Sequence, residues 1–317
     1  MSFRFRIAFT LLAMLPLASH AQLSGYNTRG DFGMQSGTQA PPGFYIVPVY
    51  YGFSADEFKD KSGDSFPGID GGGSIDVTAT LTGLIWVTDK KILGGNYGFE
   101  IWPGVTNNAL EFPPLGIDEE VSTGLADLYI APITLGWNTD RSDFITGLGL
   151  YVPTGEYESG GDENRGFGMW GYELFGGTTV YFDEAKTWHF SALAAFETHG
   201  DKDDTDVRVG NLLTIEGGVG KSFMDGAASV GIAYYGQWKI SDDDFGLDVI
   251  PPDNRGGIDR NRVFGWGPEI TLPLASKKKL YGFLNLRYFK ESGAHTSLEG
   301  DTFLATFVFP VPSIPLQ

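Results

Sequence analysis

No cysteine occurs in the 317 residues, so no disulfide framework can hold the fold together. Positive charge is scarce as well. Against 40 Asp and Glu stand 22 Lys and Arg, a formal charge of −18, and a surface so acidic repels nucleic acid and anionic ligands. Neither is expected as a partner. Long apolar runs are missing beyond the amino terminus. The best candidate for a membrane helix, LYIAPITLGW at 128–137, falls far short of the about 20 residues needed and contains Pro132. No segment keeps a helical period, so the chain reads as all-β.

What is present begins with an address. In MSFRFRIAFTLLAMLPLASHAQ, Arg4 and Arg6 make a short basic start, Ile7 to Ala18 an apolar run, and Ser19-His20-Ala21 a small-residue cleavage site. This predicts a secretory signal peptide over residues 1–21. Residues 22–43 lack clean alternation and are expected to form either a flexible leader or a plug in a lumen, with Phe32 and Met34 as apolar anchors.

From residue 44 onward the chain alternates with period two. Val230, Ile232, Tyr234, Trp238 and Ile240 share one face of a segment whose other face carries Ser229, Gly231, Ala233, Tyr235, Gln237 and Lys239. Such segments recur near 44–56, 74–87, 92–106, 121–137, 142–157, 167–182, 187–199, 207–223, 227–241, 260–275, 279–292 and 298–310. Their connections alternate between short (TDKK, NTDRS, DEAK, MDG, SKK) and mostly longer, glycine-rich and acidic ones such as GDKDDTDVR. Short and long turns sorted by parity are the layout of a 12-stranded antiparallel outer-membrane barrel with periplasmic turns and external loops. A soluble sandwich has no reason for that sorting. Trp86, Trp137, Trp188, Phe182, Phe223 and Tyr281 sit beside the short turns, as an interfacial aromatic girdle requires. The barrel is assigned to 44–310 and a tail to 311–317, in the outer membrane of a Gram-negative cell, with lipid bilayer and lipopolysaccharide as surroundings.

In DFITGLGLYVPTGEY, Phe144, Leu148, Leu150 and Val152 would face lipid while Gly147 and Gly149 face inward, leaving room or letting the wall bend. Pro153 cannot donate to the ladder and marks a kink where the strand leaves the membrane.

The stretches GLGLYVPTGEY, RGFGMWGYELFGGTTVYF, TIEGGVGKSF, GIAYYGQWKISDDD and GDFGMQSGTQAPPGFYIVPVYYGF resemble the outer-membrane family named for the meta-pathway of phenol degradation. The resemblance spans nearly the whole chain after the leader. It implies a β-barrel related to channels for fatty acids and other hydrophobic compounds, and passage of small apolar or aromatic solutes. It also implies a plug-forming amino-terminal segment. Barrel proteins usually end on an aromatic residue, whereas this chain runs past Phe309 into PVPSIPLQ.

Ionisable groups at membrane depth must face water or a partner. Asp76, Glu100, Asp127, Glu173, Glu197, Arg208, Glu216, Lys239, Glu269, Arg287 and Glu291 are therefore expected on inward faces, lining a cation-tolerant solute path or bracing a filled barrel. Their surplus of carboxylates argues against a porin for acidic sugars. His189 and Ser191, two residues apart, resemble the base and nucleophile of an outer-membrane phospholipase, but an inward periplasmic position would keep them from surface lipid. The acidic runs 201–206 and 241–248 lack the spacing of a calcium loop and read as solvated exterior. No cofactor or metal is expected. The reading is a channel for passive uptake of small hydrophobic or aromatic compounds, with a general or sugar-selective porin as the alternative and a hydrolase behind it.

Overall fold

A computed structural model describes residues 23–65, 73–112, 117–159, 161, 164–246, 260–276 and 279–311. The signal peptide and the tail beyond Val311 lie outside the described residues. Fourteen strand segments form one antiparallel sheet that closes on itself, because β1 (Gly43–Lys59) pairs with both β2 (Ser74–Ile92) and β14 (Ser297–Val311). They make twelve wall strands. One wall strand is β3 (Gly95–Trp102) plus β4 (Gly104–Phe112), interrupted at Pro103. Its neighbour is β5 (Ile117–Leu125) plus β6 (Leu128–Asn138), interrupted at Ala126-Asp127. The remaining wall is β7 (Ser142–Val152), β8 (Gly171–Tyr181), β9 (Trp188–His199), β10 (Leu212–Phe223), β11 (Ala228–Lys239), β12 (Arg262–Ser276) and β13 (Lys279–His295). Closure leaves no sheet edge to lipid, which alone makes strands viable in a bilayer.

Register fixes which side chains look inward, since residues paired across a ladder share a face. On β11, Val230 and Ile232 are about half exposed, at 47% and 49%, while Ala233, Tyr235, Gln237 and Lys239 are buried. Lipid is outside and the lumen inside, as the alternation requires. Phe144 and Leu148 are likewise exposed. Opposite them, a methyl group on Gly147 would lie 2.4 Å from the Phe175 ring, and one on Gly149 would lie 2.5 Å from the Tyr129 hydroxyl. The empty face of this strand is thus occupied by aromatic rings laid over from its neighbours.

The turns sort to one end. The first was expected at Thr88–Lys91, but those residues continue β2 and the chain reverses at Leu93-Gly94. Both have positive φ, 52° and 84°, as a two-residue hairpin that follows strand twist demands. Trp86, Phe182, Trp188, Phe223 and Tyr281 ring this end, all exposed.

The wall is uneven in height. Strands β1, β2, β13 and β14 run 15 to 19 residues, while β7 to β11 have 11 or 12. Above the Leu128–Val152 pair, among the described residues, β5 has no ladder partner on its β7 side. There the segment after Pro153 folds back instead. Asp127 accepts the backbone N–H groups of Gly155 and Phe167 at 2.8 and 2.7 Å, and Arg165 donates to the Ser122 carbonyl at 2.7 Å.

Candidate functional site: the barrel interior

Residues 23–42 precede β1 and lie inside the barrel. A segment with only one short 3-10 turn, Gly33–Gln35, must find partners for its backbone N–H and C=O groups away from bulk water. The inner wall supplies them. Glu197 accepts the N–H groups of Tyr26 and Asn27 at 2.6 and 2.8 Å. Glu216 accepts Phe32 N–H at 3.1 Å, and Glu269 accepts Met34 N–H at 2.8 Å. Glu173 takes the Asn27 amide at 2.9 Å together with the hydroxyls of Tyr129 and Tyr151. An ionised carboxylate only accepts, so a run of exposed backbone donors calls for carboxylates on the facing wall.

Cations of the wall meet the segment's carbonyls. Arg287 donates to Gly30 O at 2.7 Å and to Asp31 O, and Lys239 donates to Leu23 O at 2.9 Å. Arg29 reverses the pattern, reaching from the segment to Glu291 at 2.7 Å and to Gln237 at 3.0 Å. Glu291 also accepts the Tyr235 hydroxyl at 2.8 Å. The apolar anchors are seated too. Phe32 packs against Phe175 with ring centroids 5.8 Å apart, and Met34 is buried where β10 and β11 carry Gly218, Gly220 and Gly231. A methyl on Gly218 would come within 2.6 Å of Met34 Cβ, so small residues there make the seat.

Seven of the eleven expected inward residues bond this segment; Glu100 instead holds Trp102 on the wall, and two others lie off the inner face. Asp76 pairs in register with Ser54 and shares the face of Leu84 and Trp86, which turns outward; the inner face of β2 is the apolar one, Ile75 to Val87. Arg208 lies before β10 begins, exposed, and bonds Asp201 at 2.8 Å among the loops. Asp127 marks the wall break and holds the 153–170 segment. Of the acidic loop runs, Asp243 dips into the barrel mouth to meet Lys239 at 2.8 Å, Asp242 pairs with Arg260 at 2.6 Å, and Asp201 pairs with Arg208. Among the described residues no cluster of three or more metal-ligating side chains forms. His189 and Ser191 are fully buried on the inner face of β9, and among the described residues Ser191 Oγ has no hydrogen-bond partner. No hydrogen bond joins the His189 imidazole to the Ser191 hydroxyl.

Sequence reasoning missed Arg29, Tyr26 and Asn27 as the segment's hooks, and it missed a second sector of the lumen. The inner faces of β8 to β13 are filled: Glu197 and Glu216 are each 1% exposed. On the inner faces of β1 to β4, Val49, Phe53, Val77, Ala79, Leu81, Ile85 and Trp102 stay partly exposed, while Val47, Ala55 and Val87 are buried. Asp31 and Gln35, although inside the barrel, are exposed as well. The segment thus fills one side of the lumen and leaves space along the other.

A closed antiparallel barrel with an apolar exterior, an aromatic girdle and a polar, occupied interior defines an outer-membrane β-barrel of the Gram-negative type. The chain belongs to the family described as "Putative MetA-pathway of phenol degradation", whose model matches residues 55–307. Its fold is similar to the COG4313 outer membrane channel from Pseudomonas putida F1, with 14% identity and a TM-score of 0.66 over 90% of this chain and 100% of that one. A Pseudomonas aeruginosa FadL homologue is similar at 10% identity and a TM-score of 0.42, over 91% of this chain and 99% of that one. The β domain of the Bordetella autotransporter BrkA gives 14% identity and a TM-score of 0.46, over 86% of this chain and 100% of that one. No curated protein matches.

Proposed function

We propose that the protein is a passive outer-membrane channel for small apolar or aromatic compounds, with residues 23–42 as a plug. The observation that carries this reading is the division of the lumen: a polar half filled by the amino-terminal segment and a partly exposed apolar half along β1 to β4. A solute without charge gains from apolar burial along that half, whereas a sugar finds few polar groups there. The carboxylates of β8 to β13 then serve as braces for the plug more than as a selectivity ring. Release sideways is supported by the missing ladder between β5 and β7, where among the described residues Asp127 and Arg165 tie the wall to the chain after Pro153. The test is uptake by intact cells expressing the protein. The fluorescent apolar probe N-phenylnaphthylamine should reach the envelope interior faster than in cells without it, while entry of a disaccharide stays unchanged. An equal rise for both would make the protein a general porin.

A further inference from the structure

We propose that the outer wall of β1 to β3 holds one anionic phospholipid of the periplasm-facing leaflet, with an acyl chain in a groove and its phosphate at Lys90. The proposal rests on the membrane setting of the barrel and is independent of what passes through the lumen. Register brings the groove together. Phe44 of β1 pairs with Trp86 of β2, Trp86 pairs with Phe99 of β3, and Leu84 pairs with Ile101. Residues paired across a ladder share a face, and Phe44 and Trp86 are exposed, so all five side chains look out at lipid. They line a hollow of about 370 Å³. Three rings stand in a row toward the short-turn end, and Leu84 and Ile101 lie two residues deeper in the membrane. Trp86 belongs to the girdle, so the hollow lies where acyl chains meet their headgroups.

The same strand supplies a cation at the headgroup end. β2 runs on past Trp86 to Ile92, and alternation puts Lys90 on the side of Trp86 and Asp89 on the opposite one. Four residues of strand span about 13 Å, and a lysine stem can bend its ammonium back toward the interface. Lys90 is exposed. Among the described residues the lysine ion pairs are those of Lys59, Lys186, Lys239 and Lys290, which leaves Lys90 without a carboxylate. In a chain with 40 acidic and 22 basic residues, an unpaired cation beside a lipid-facing groove favours a partner with net negative charge. A second copy of this chain fits poorly there. Five side chains fall far below the roughly 20–30 residues a side of a stable interface, and two acidic copies repel. The rings hold an acyl chain of any lipid, and the lysine decides which headgroup stays.

The test is native mass spectrometry of the barrel released from nanodiscs made of equal phosphatidylglycerol and phosphatidylethanolamine, counting the lipids it retains. Wild type should keep one phosphatidylglycerol in preference to phosphatidylethanolamine. Lys90→Gln should cut that preference about fivefold, the effect of one lysine near a charged lipid surface. Ile101→Trp, which fills the groove, should lower retention of both lipids. Leu84→Phe takes its place if that variant does not fold, as judged by heat-modifiable electrophoretic mobility. Lys221 is the control: it pairs in register with Val230 and Trp188 on the lipid face of β10, away from the groove, and Lys221→Gln should leave the preference unchanged. Equal retention of the two lipids by wild type, or no retained lipid, overturns the site. So does an effect of Lys221→Gln as large as that of Lys90→Gln, or unchanged retention in both the lysine and the groove variants. A retained second copy of the chain in place of lipid would assign the groove to self-association and overturn it too.

Discussion

Glu197 shows how one side chain decides whether the lumen is occupied. Itself 1% exposed, it accepts two successive backbone N–H groups and meets the His199 imidazole, all of them buried. Glutamine in its place would keep the shape but lose the charge that makes such bonds about twice as strong, and its own amide would face donors. We expect Glu197→Gln to loosen the segment near Tyr26 by about 1.5–3 kcal/mol, roughly a tenfold to hundredfold rise in its released fraction. Because the chain has no cysteine, a single Thr28→Cys gives a clean reporter. Maleimide should label it faster in the Glu197→Gln background, and an unchanged rate would show that this carboxylate is not a tether. The carboxylates themselves were readable from sequence as inward groups on period-two strands. Their acceptors' role was not, because it depends on a segment with no periodicity that runs opposite strands 146 to 262 residues away.

At the scale of the strand, alternation gives two faces but not which one is inside. That is why Asp76 was assigned inward although it has the parity of Trp86, itself read as a lipid-facing girdle residue. The girdle was the better guide, and the contradiction was visible in the sequence. The break at Pro103 falls inside a stretch read as one strand, 92–106, and the docking of Gly155 and Phe167 on Asp127 carried no local pattern. This region also forms an external cap. Leu23, Tyr26, Met169, Val209, Leu212 and Phe245 cluster under the loops, with Phe167 beside them. Lys202 closes it, donating to Phe167 O at 2.7 Å with its ammonium 4.9 Å from the Tyr157 ring centroid.

Burial pushes the Lys202 ammonium down to about 8 from 10.5, against the opposing pull of Asp127, Asp243 and Asp203. Below pH 8 the lysine is charged whether the cap is open or closed, and closing carries the full cost of burying the charge. Between about 8 and 10.5 the open state binds a proton that the closed state has shed, so closure strengthens as pH rises. Chymotrypsin cleavage within 153–170 should slow across this range in wild type relative to Lys202→Met, whose cap lacks the titrating group. Parallel pH profiles for the two proteins would rule the lysine out as the cause.

For the whole molecule, the short turns define one rim and the long loops the other, and the tall side runs from β13 through β14 and β1 to β2. A single cysteine at Asp203 should react with an impermeant maleimide on intact cells, and one at Asp225 should react only after the outer membrane is opened. The reverse pattern would invert the barrel in the membrane. Extracted protein should need detergent and give a β-rich circular dichroism spectrum, because the outer faces of β7 to β12 carry half-exposed apolar side chains such as Leu174, Phe190 and Trp266.

The position of the amino-terminal segment also ties the two ends of the chain together. Its partners, Glu173 through Glu291, belong to β8 to β13, which leave the ribosome long after the segment itself. Until those strands stand side by side, there is nothing to receive Tyr26, Phe32 or Met34. The segment continues directly into β1, and β1 completes the wall by joining β14. Plug and closing seam are thus one continuous stretch of chain, so a pull that drags the segment out of the lumen is borne by the strand that shuts the wall.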